Sequence, residues 1–548
     1  MPAKKESKSN EPNIKDFAKN KRHKIYSKAF GIIFGRTVSQ RMFRIYLILI
    51  LLGASLLYCP FSLTDGKYIV YLDPMNEKFS RPYTFWDALF IACSGFSDTG
   101  LTPAVISKTF TVTGQVILLF LIQLGGIGVI SIFFLIWNFF KKTNDVSLKQ
   151  MVMVQSERGN EKLGNSFKMV KKAVGFILVS ELIFGLIYSV WMYAVPAYEQ
   201  TSFISGSDDL RPTHDTTTLL HCYHNYGQCL WIGIFTSISA INNAGFDIFQ
   251  GTSSLASYRN DWNTIFQLFI VLEIVIGGIG YPVIFDVMEK KKNAKKGIKT
   301  RTSLFTKVAL CSYFVIAIIG LILAFGFEGI DAKFNTDEYS IFTDPNIYHE
   351  FGKAEGWNKT FCIFFNVMTT RSAGFSTLDH NLLCAGAKWT NCLLMFIGGS
   401  PSSTAGGIRT TTLAIVAVAI FNKIIGKNRV SMYKRTIPTT KVKDSLIVFC
   451  SSIILVTLVT LLITYTQYGQ DNLPQFQLLS VFYEATSAFG TVGLSVGITS
   501  QITPLGQILL IILMFVGQLG VSSTLLSWTR RNPKGNASSY PVEDIRIG

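Results

Sequence analysis

The stretch Ser97–Leu101, SDTGL, ends a short amphipathic segment in a glycine, and Leu121–Ile130, LIQLGGIGVI, then places a second glycine signature inside an apolar run. The couple returns three times: NNAGF (Asn242–Phe246) with EIVIGGIGYPV (Glu273–Val283), SAGF (Ser372–Phe375) with LMFIGGSPSST (Leu394–Thr404), and TVGL (Thr491–Leu494) with LMFVGQLGVSS (Leu513–Ser523). Four couples in register are an internal repeat, and a repeat settles the architecture before any single motif does.

The chain surrounding these couples has 548 residues, is 49% hydrophobic with 43 Phe, and has a mean hydropathy of +0.34. That profile belongs to a multi-spanning membrane protein rather than a soluble globular one. Apolar stretches suited to about 30 Å of hydrocarbon run near Phe43–Leu57, Val112–Phe140, Val174–Val195, Thr264–Val287, Leu304–Phe327, Leu446–Tyr465 and Leu505–Trp528, with an interrupted eighth at Trp389–Phe421. Lys and Arg gather in the polar N-terminal tail, in Lys141–Lys172, Lys290–Arg301 and Lys423–Lys443, and around Arg530, Arg531 and Lys534. The positive-inside rule assigns all of these, both termini included, to the cytoplasm. The Asp- and Glu-bearing segments Ser62–Pro82, Glu199–Tyr226 and Glu328–Glu355 belong outside. The net charge of +17 alternates with the spans as topology requires, which argues against nucleic acid and leaves anionic lipid or a cytoplasmic partner.

The expectation is an all-α integral membrane protein with eight spans, built from four direct repeats around one pseudo-fourfold pore. The repeat divides the chain into a cytoplasmic tail (1–42), pore units at 43–142, 173–290, 304–422 and 444–529, cytoplasmic linkers at 143–172, 291–303 and 423–443, and a C-terminal tail (530–548). Each unit reads as a span, an outer loop, a half-length helix, a glycine turn and a second span. The half-helices are Tyr83–Gly95, Trp231–Ile241, Trp357–Thr369 and Phe476–Ala488, all too short to cross a bilayer. A segment that enters and returns is tolerated only where its non-helical end is buried in protein or lines a watery cavity. Each half-helix aims its C-terminus, the negative end of its dipole, at the bilayer centre, which stabilises a cation without a formal charge. The turn that follows needs Gly100, Gly245, Gly374 and Gly493, because glycine takes positive φ and lets successive carbonyls face the axis.

These residues resemble the Ktr/Trk/HKT superfamily of potassium transporters, closest to its KtrB and TrkH membrane subunits. The resemblance is carried by SAFGTVGLS from Ser487, SISAINNAGFDIF from Ser237, TRSAGFSTLDH from Thr370 and MFIGGSPSSTAGGIRTTT from Met395, and it extends from about Phe43 to Trp528. It implies a potassium filter formed by Asp98, Thr99, Gly100 and Leu101, by Asn243, Ala244, Gly245 and Phe246, by Ser372, Ala373, Gly374 and Phe375, and by Thr491, Val492, Gly493 and Leu494. It also implies plasma-membrane potassium uptake, a homodimer, and a cytoplasmic nucleotide-binding ring of the KtrA or TrkA kind. No cofactor is tightly bound in this reading. Glycine at Gly100 favours potassium, since serine there accompanies sodium permeation in some plant members. Two positions depart from the family: Asp98 stands where relatives are uncharged, and Gln518 where many carry arginine. Whether Asp98 faces the pore or is hydrogen-bonded away from it stays open at this point.

Between Trp389 and Phe421 two apolar halves flank GGSPSSTAGGIRTTT. Neither half spans alone, so the linker lies at membrane depth. Gly398, Gly399, Gly406 and Gly407 give it freedom, and Ser402, Ser403 and Thr404, followed by Ala405, offer hydroxyls to ions or to freed backbone groups. With the resemblance, these eight residues read as a movable gate; a satisfied kink is the structural alternative. No lysine follows Gly407 as a phosphate-binding loop requires. Arg371 reads as a structural pairing with carbonyls or a carboxylate. His221, Cys222, His224 and Cys229 match no standard zinc spacing, which leaves a Cys222–Cys229 disulfide or free thiols. No catalytic constellation is evident, so an enzyme is not expected. A sodium-permeable or sodium-coupled cation transporter is the alternative; an alternating-access transporter of another solute would show inverted rather than direct repeats.

Overall fold

A computed structural model describes residues 38–66, 69–71, 80–129, 131–133, 163–195, 223–249, 254, 255, 258, 263–334, 356–378, 380–427, 429–467 and 477–521. Most of the two tails, most of the linker at 143–172, His221 and Cys222, much of the outer segments, and Arg530, Arg531 and Lys534 lie outside the described residues. Ile45–Val521 forms one compact unit and holds all four glycine segments.

The four long apolar helices contain no proline, and single glycines such as Gly53, Gly185 and Gly320 are carried inside them without a break. These helices are α1 (Val38–Tyr58), α4 (Leu163–Ala194), α8 (Leu304–Phe334) and α12 (Thr439–Gln467). Leu52, Leu182, Ile322 and Ile454 on these helices are exposed, as lipid-facing positions in a spanning helix are.

The half-length helices are α2 (Phe85–Phe96), α5 (Tyr226–Ile241), α9 (Gly356–Thr369) and α13 (Leu478–Gly490), of 12, 16, 14 and 13 residues. Their N-termini are set locally. Thr84 and Asp87 form a capping box on α2, with Arg81 closing on both Asp87 oxygens at 2.6 and 2.9 Å. The Asn225 side chain caps α5. Beyond their first turns, where Phe85, Trp86, Tyr226 and Leu478 are exposed, these helices bury apolar side chains that include Phe90, Phe235, Phe365 and Phe489 and so contribute to the core.

Each second helix is broken. The sequence reading expects an interruption only in the third unit, with continuous spans at Val112–Phe140, Thr264–Val287 and Leu505–Trp528. Instead, α3 (Val112–Ile127) stops at Gly128, α6 (Asn263–Gly278) and α7 (Tyr281–Ala294) meet at Gly280 with a 96° bend, and α14 (Pro504–Leu519) stops at Gly520. In the third unit α10 (Ala385–Phe396) and α11 (Thr410–Ile424) flank the linker. Gly128, Gly280 and Gly520 have φ of 94°, 88° and 83° with ψ of 128°, 151° and 138°, a combination essentially reserved for glycine, which ends the helical hydrogen-bond ladder. Among the described residues, four helices are therefore long and apolar enough to cross a membrane, or five if the bent pair counts as one span. Each half-helix packs against the second helix of its neighbouring unit: α2 on α14, α5 on α3, α9 on α6 and α13 on α10. That succession closes on itself.

Candidate functional site

The four glycine segments share one local geometry. Two residues before each glycine, Asp98, Asn243, Ser372 and Thr491 take left-handed φ of 51°, 57°, 77° and 48°, and the glycines follow with φ of 89°, 69°, 77° and 93°. A left-handed residue just past a helix lets the next N–H reach back to an orphaned carbonyl. Thr99 N–H donates to the Ser94 carbonyl at 2.9 Å, Ala244 to Ser239 at 2.8 Å and Val492 to Ser487 at 2.9 Å, while Ala373 reaches Thr369 at 2.9 Å. Asp and Asn visit this region at modest cost; Thr491, being β-branched, does not. This repeated polar residue is a signal that reading for glycine alone passes over.

The glycines stand side by side in cyclic order. A β-carbon added to Gly100 would lie 2.5 Å from the Ala244 carbonyl oxygen, and one added to Gly245 would lie 2.6 Å from that of Ala373. One on Gly374 would overlap the Val492 carbonyl, and one on Gly493 that of Thr99. Four main chains thus approach one another so closely that no side chain fits between them. Leu101, Phe246, Phe375 and Leu494, each following its glycine, are buried.

The linker lies directly against these segments. Gly406 N–H donates to Thr491 Oγ1 at 2.8 Å and to Ser372 Oγ at 3.2 Å, and Ser372 Oγ lies within hydrogen-bond distance of the carbonyl oxygens of Gly490 and Thr491, at 2.7 and 2.9 Å. Thr404 Oγ1 donates to the Ile241 carbonyl at 3.5 Å. At the opposite end of the linker the fully buried Arg371 donates to the carbonyls of Ile397 and Gly398 at 2.7 and 2.9 Å and stacks on the Tyr313 ring, 4.8 Å away. These carbonyls terminate α10, where a guanidinium satisfies orphaned acceptors and the negative end of the dipole together. The base of the linker is closed by a parallel bridge of Ile397 with Ile408 and by Thr410 N–H on the Gly399 carbonyl at 3.0 Å. Ser402 has φ of 61° and its carbonyl accepts from Tyr281 N–H at 3.1 Å. Gly399, Ser403, Ala405 and Gly407 are buried in the same region.

Glu484 is a site-supporting residue that the sequence reading missed. Its carboxylate accepts from Ser495 Oγ, Val496 N–H and Thr499 Oγ1 at 2.5, 3.2 and 2.8 Å, tying α13 to the loop after Gly493. On the corresponding side of the third segment, His380 stands between Ser376 Oγ and Tyr483 Oη, 3.1 Å from each.

A family model described as cation transport protein, TrkH, matches residues 64–540. The chain is 37% identical to an uncharacterized cation transporter of Mycoplasma pneumoniae, the MG322 homolog, over 94% of its own length and 97% of the relative's. It is 32% identical to the Ktr system potassium uptake protein D of Bacillus subtilis, over 87% of this chain and 92% of that one. The potassium transporter TrkH from Vibrio parahaemolyticus shares the fold with a TM-score of 0.58 at 15% identity, covering 88% of this chain and 84% of its own.

Proposed function

The chain belongs to the TrkH family of cation transport proteins, and from that premise we propose that it is a channel-like potassium uptake subunit whose four glycine segments make one selectivity filter. The family is one of ion transporters rather than enzymes. The observation that carries the proposal is the closed succession of Gly100, Gly245, Gly374 and Gly493, each against the next segment's carbonyl. Carbonyls brought together in this way replace the hydration shell of a cation, and the C-termini of α2, α5, α9 and α13 add their dipoles. Flux then follows the inside-negative potential, about 2.3 kcal/mol per unit charge per 100 mV.

In this proposal the four units form direct repeats, and each broken second helix counts as one span, giving eight spans with both termini in the cytoplasm of a plasma-membrane protein. The linker Gly398–Gly407 is the gate. Its hydrogen bonds to Ser372 and Thr491 support a closed arrangement beneath the filter. A homodimer and a separate nucleotide-binding ring of the KtrA or TrkA kind complete the assembly; the Ktr system protein among the relatives supports this part. Purified protein in proteoliposomes should take up potassium and rubidium in preference to sodium. Equal uptake of all three, or none in correctly inserted protein supplied with the ring, would remove the filter assignment.

A further inference from the structure

Behind the second glycine segment, three helices of the second unit and one of the first close around a pair of carboxylates. Glu181 on α4 and Glu273 on α6 are both buried. Glu181 accepts from Gln123 Nε2 of α3 at 3.2 and 3.0 Å on its two oxygens, and from Asn242 Nδ2 at 3.1 Å. Glu273 Oε2 accepts from the Tyr188 hydroxyl of α4 at 2.7 Å, and its Oε1 lies 2.6 Å from Ser237 Oγ of α5. The same Oγ lies 2.9 Å from the main-chain oxygen of Glu181. Neither carboxylate has an ion pair with Lys, Arg or His among the described residues. The elements packed around the pair present Gln123, Tyr188, Ser237 and Asn242, none of them a cation.

A count of hydrogens separates the two acids. Tyr188 has one hydroxyl hydrogen, and it goes to Glu273 Oε2. Ser237 also has one, yet its oxygen stands at hydrogen-bond distance from two oxygens. With Glu273 ionised, one of those contacts would set lone pair against lone pair in a buried place. A proton on Glu273 Oε1 removes the conflict, because that group donates to Ser237 Oγ and Ser237 donates to the Glu181 carbonyl. Glu181 is different: amide N–H groups address both of its oxygens, which is the donor set an ionised carboxylate takes. Two unpaired negative charges together at membrane depth would be costly, and one proton halves the charge. Asn242, held by Glu181 and by Gln123 Oε1 at 3.0 Å, caps α5 and directly precedes Asn243 of the second glycine segment.

We propose that this pair binds a single proton, held on Glu273, and that the charge remaining on Glu181 is a buried counter-charge for cations in the adjoining glycine segment. In a surrounding of low dielectric such a charge acts over several ångströms without touching the ion. Glu181 is thus a specificity-determining residue, and Glu273 with Ser237 and Tyr188 positions α5 beside it. The counter-charge role rests on the filter reading; the proton site does not.

The test uses the full chain in lipid. Infrared spectra of the parent should contain the carbonyl stretch of a buried protonated carboxylic acid that is lost in Glu273→Gln and kept in Glu181→Gln. In proteoliposomes, Glu181→Gln should raise the half-saturating potassium concentration several-fold, while Glu181→Asp recovers part of the loss. A band that survives in Glu273→Gln, or disappears in Glu181→Gln alone, overturns the proton assignment. Parental half-saturation in folded Glu181→Gln overturns the counter-charge. If Gly245→Ala leaves ion preference unchanged while the infrared result is as expected, the filter reading fails and the proton site stands.

Discussion

Gln518 donates a hydrogen bond from Nε2 to Asp98 Oδ2 at 3.1 Å, joining two residues 420 positions apart in the chain. Asp98 lies just past the C-cap of α2 and Gln518 sits in the last turn of α14, so the bond ties the first glycine segment to the second helix of the fourth unit. Asp98 is fully buried. The two residues that the sequence expectation sets apart from the family pattern therefore meet. The linker joins them, since Arg409 donates to the Gln518 carbonyl at 3.5 Å and to the carbonyl of Ala405.

The first prediction concerns this pair. A hydrogen bond to a buried charged group contributes about 1.5–3 kcal/mol. A double-mutant cycle of Asp98→Asn and Gln518→Leu, read by thermal unfolding of the purified protein, should return a coupling of that order. Additive effects would show that the two side chains do not stabilise one another. If the bond holds the carboxylate out of the ion path, Gln518→Leu rather than Asp98→Asn should increase block by external divalent cations.

Gly100→Ser should relax discrimination against sodium. Serine would have to adopt φ near 89° and push back the Ala244 carbonyl, a backbone strain of about 1–3 kcal/mol that distorts the ring at its first segment. The ratio of potassium to sodium uptake measures it, and a ratio equal to the parent's would count against Gly100 as a filter residue.

Shortening the linker by removing Pro401–Gly406 takes away the Gly406 N–H held by Thr491 and Ser372. High flux without the regulatory ring is expected, with the parental order of ion preference, because the glycine ring itself is not cut. Flux that remains low and ring-dependent in inserted protein would make the linker a structural kink. Arg371→Lys should give a milder form of the same leak, since an ammonium cannot bridge the Ile397 and Gly398 carbonyls as the planar guanidinium does.

His380 lies in the outer loop after the third glycine segment, and burial, with the Lys388 charge nearby, lowers its pKa to about 4. It is neutral in the folded protein near pH 7, whereas an unfolded histidine titrates near 6.5. Because the unfolded state binds the proton more readily, stability falls as pH drops through 6.5 and the full loss is reached below about 4. The shift corresponds to about 3 kcal/mol. Unfolding measured across this window should show a smaller pH dependence in His380→Gln, and an unchanged slope would assign the acid lability to other groups.

Much of this architecture was legible along the chain because its determinants are local. The half-helices α2, α5, α9 and α13 follow from apolar runs too short to span, from caps such as Thr84 and Asn225, and from the glycine two residues past a left-handed turn. The breaks at Gly128, Gly280 and Gly520 each stand three residues after the first glycine of the second signature, Gly125, Gly277 and Gly517. They escaped notice because an uninterrupted apolar run masks a glycine whose φ only the folded backbone reveals.

The sequence by itself determined that four glycine-terminated half-helices and the interrupted span of the third unit must be buried in protein, since a polar, non-helical backbone at membrane depth has no other solution. Only the tertiary structure decided which side chains face each other across units. Gln518 on Asp98, Arg371 on the Ile397 carbonyl, Thr491 on Gly406 and Asn242 on Glu181 all join residues from separate elements. Their physical basis is the pairing of buried polar groups, which depends on distances of about 3 Å that periodicity, composition and propensity do not encode.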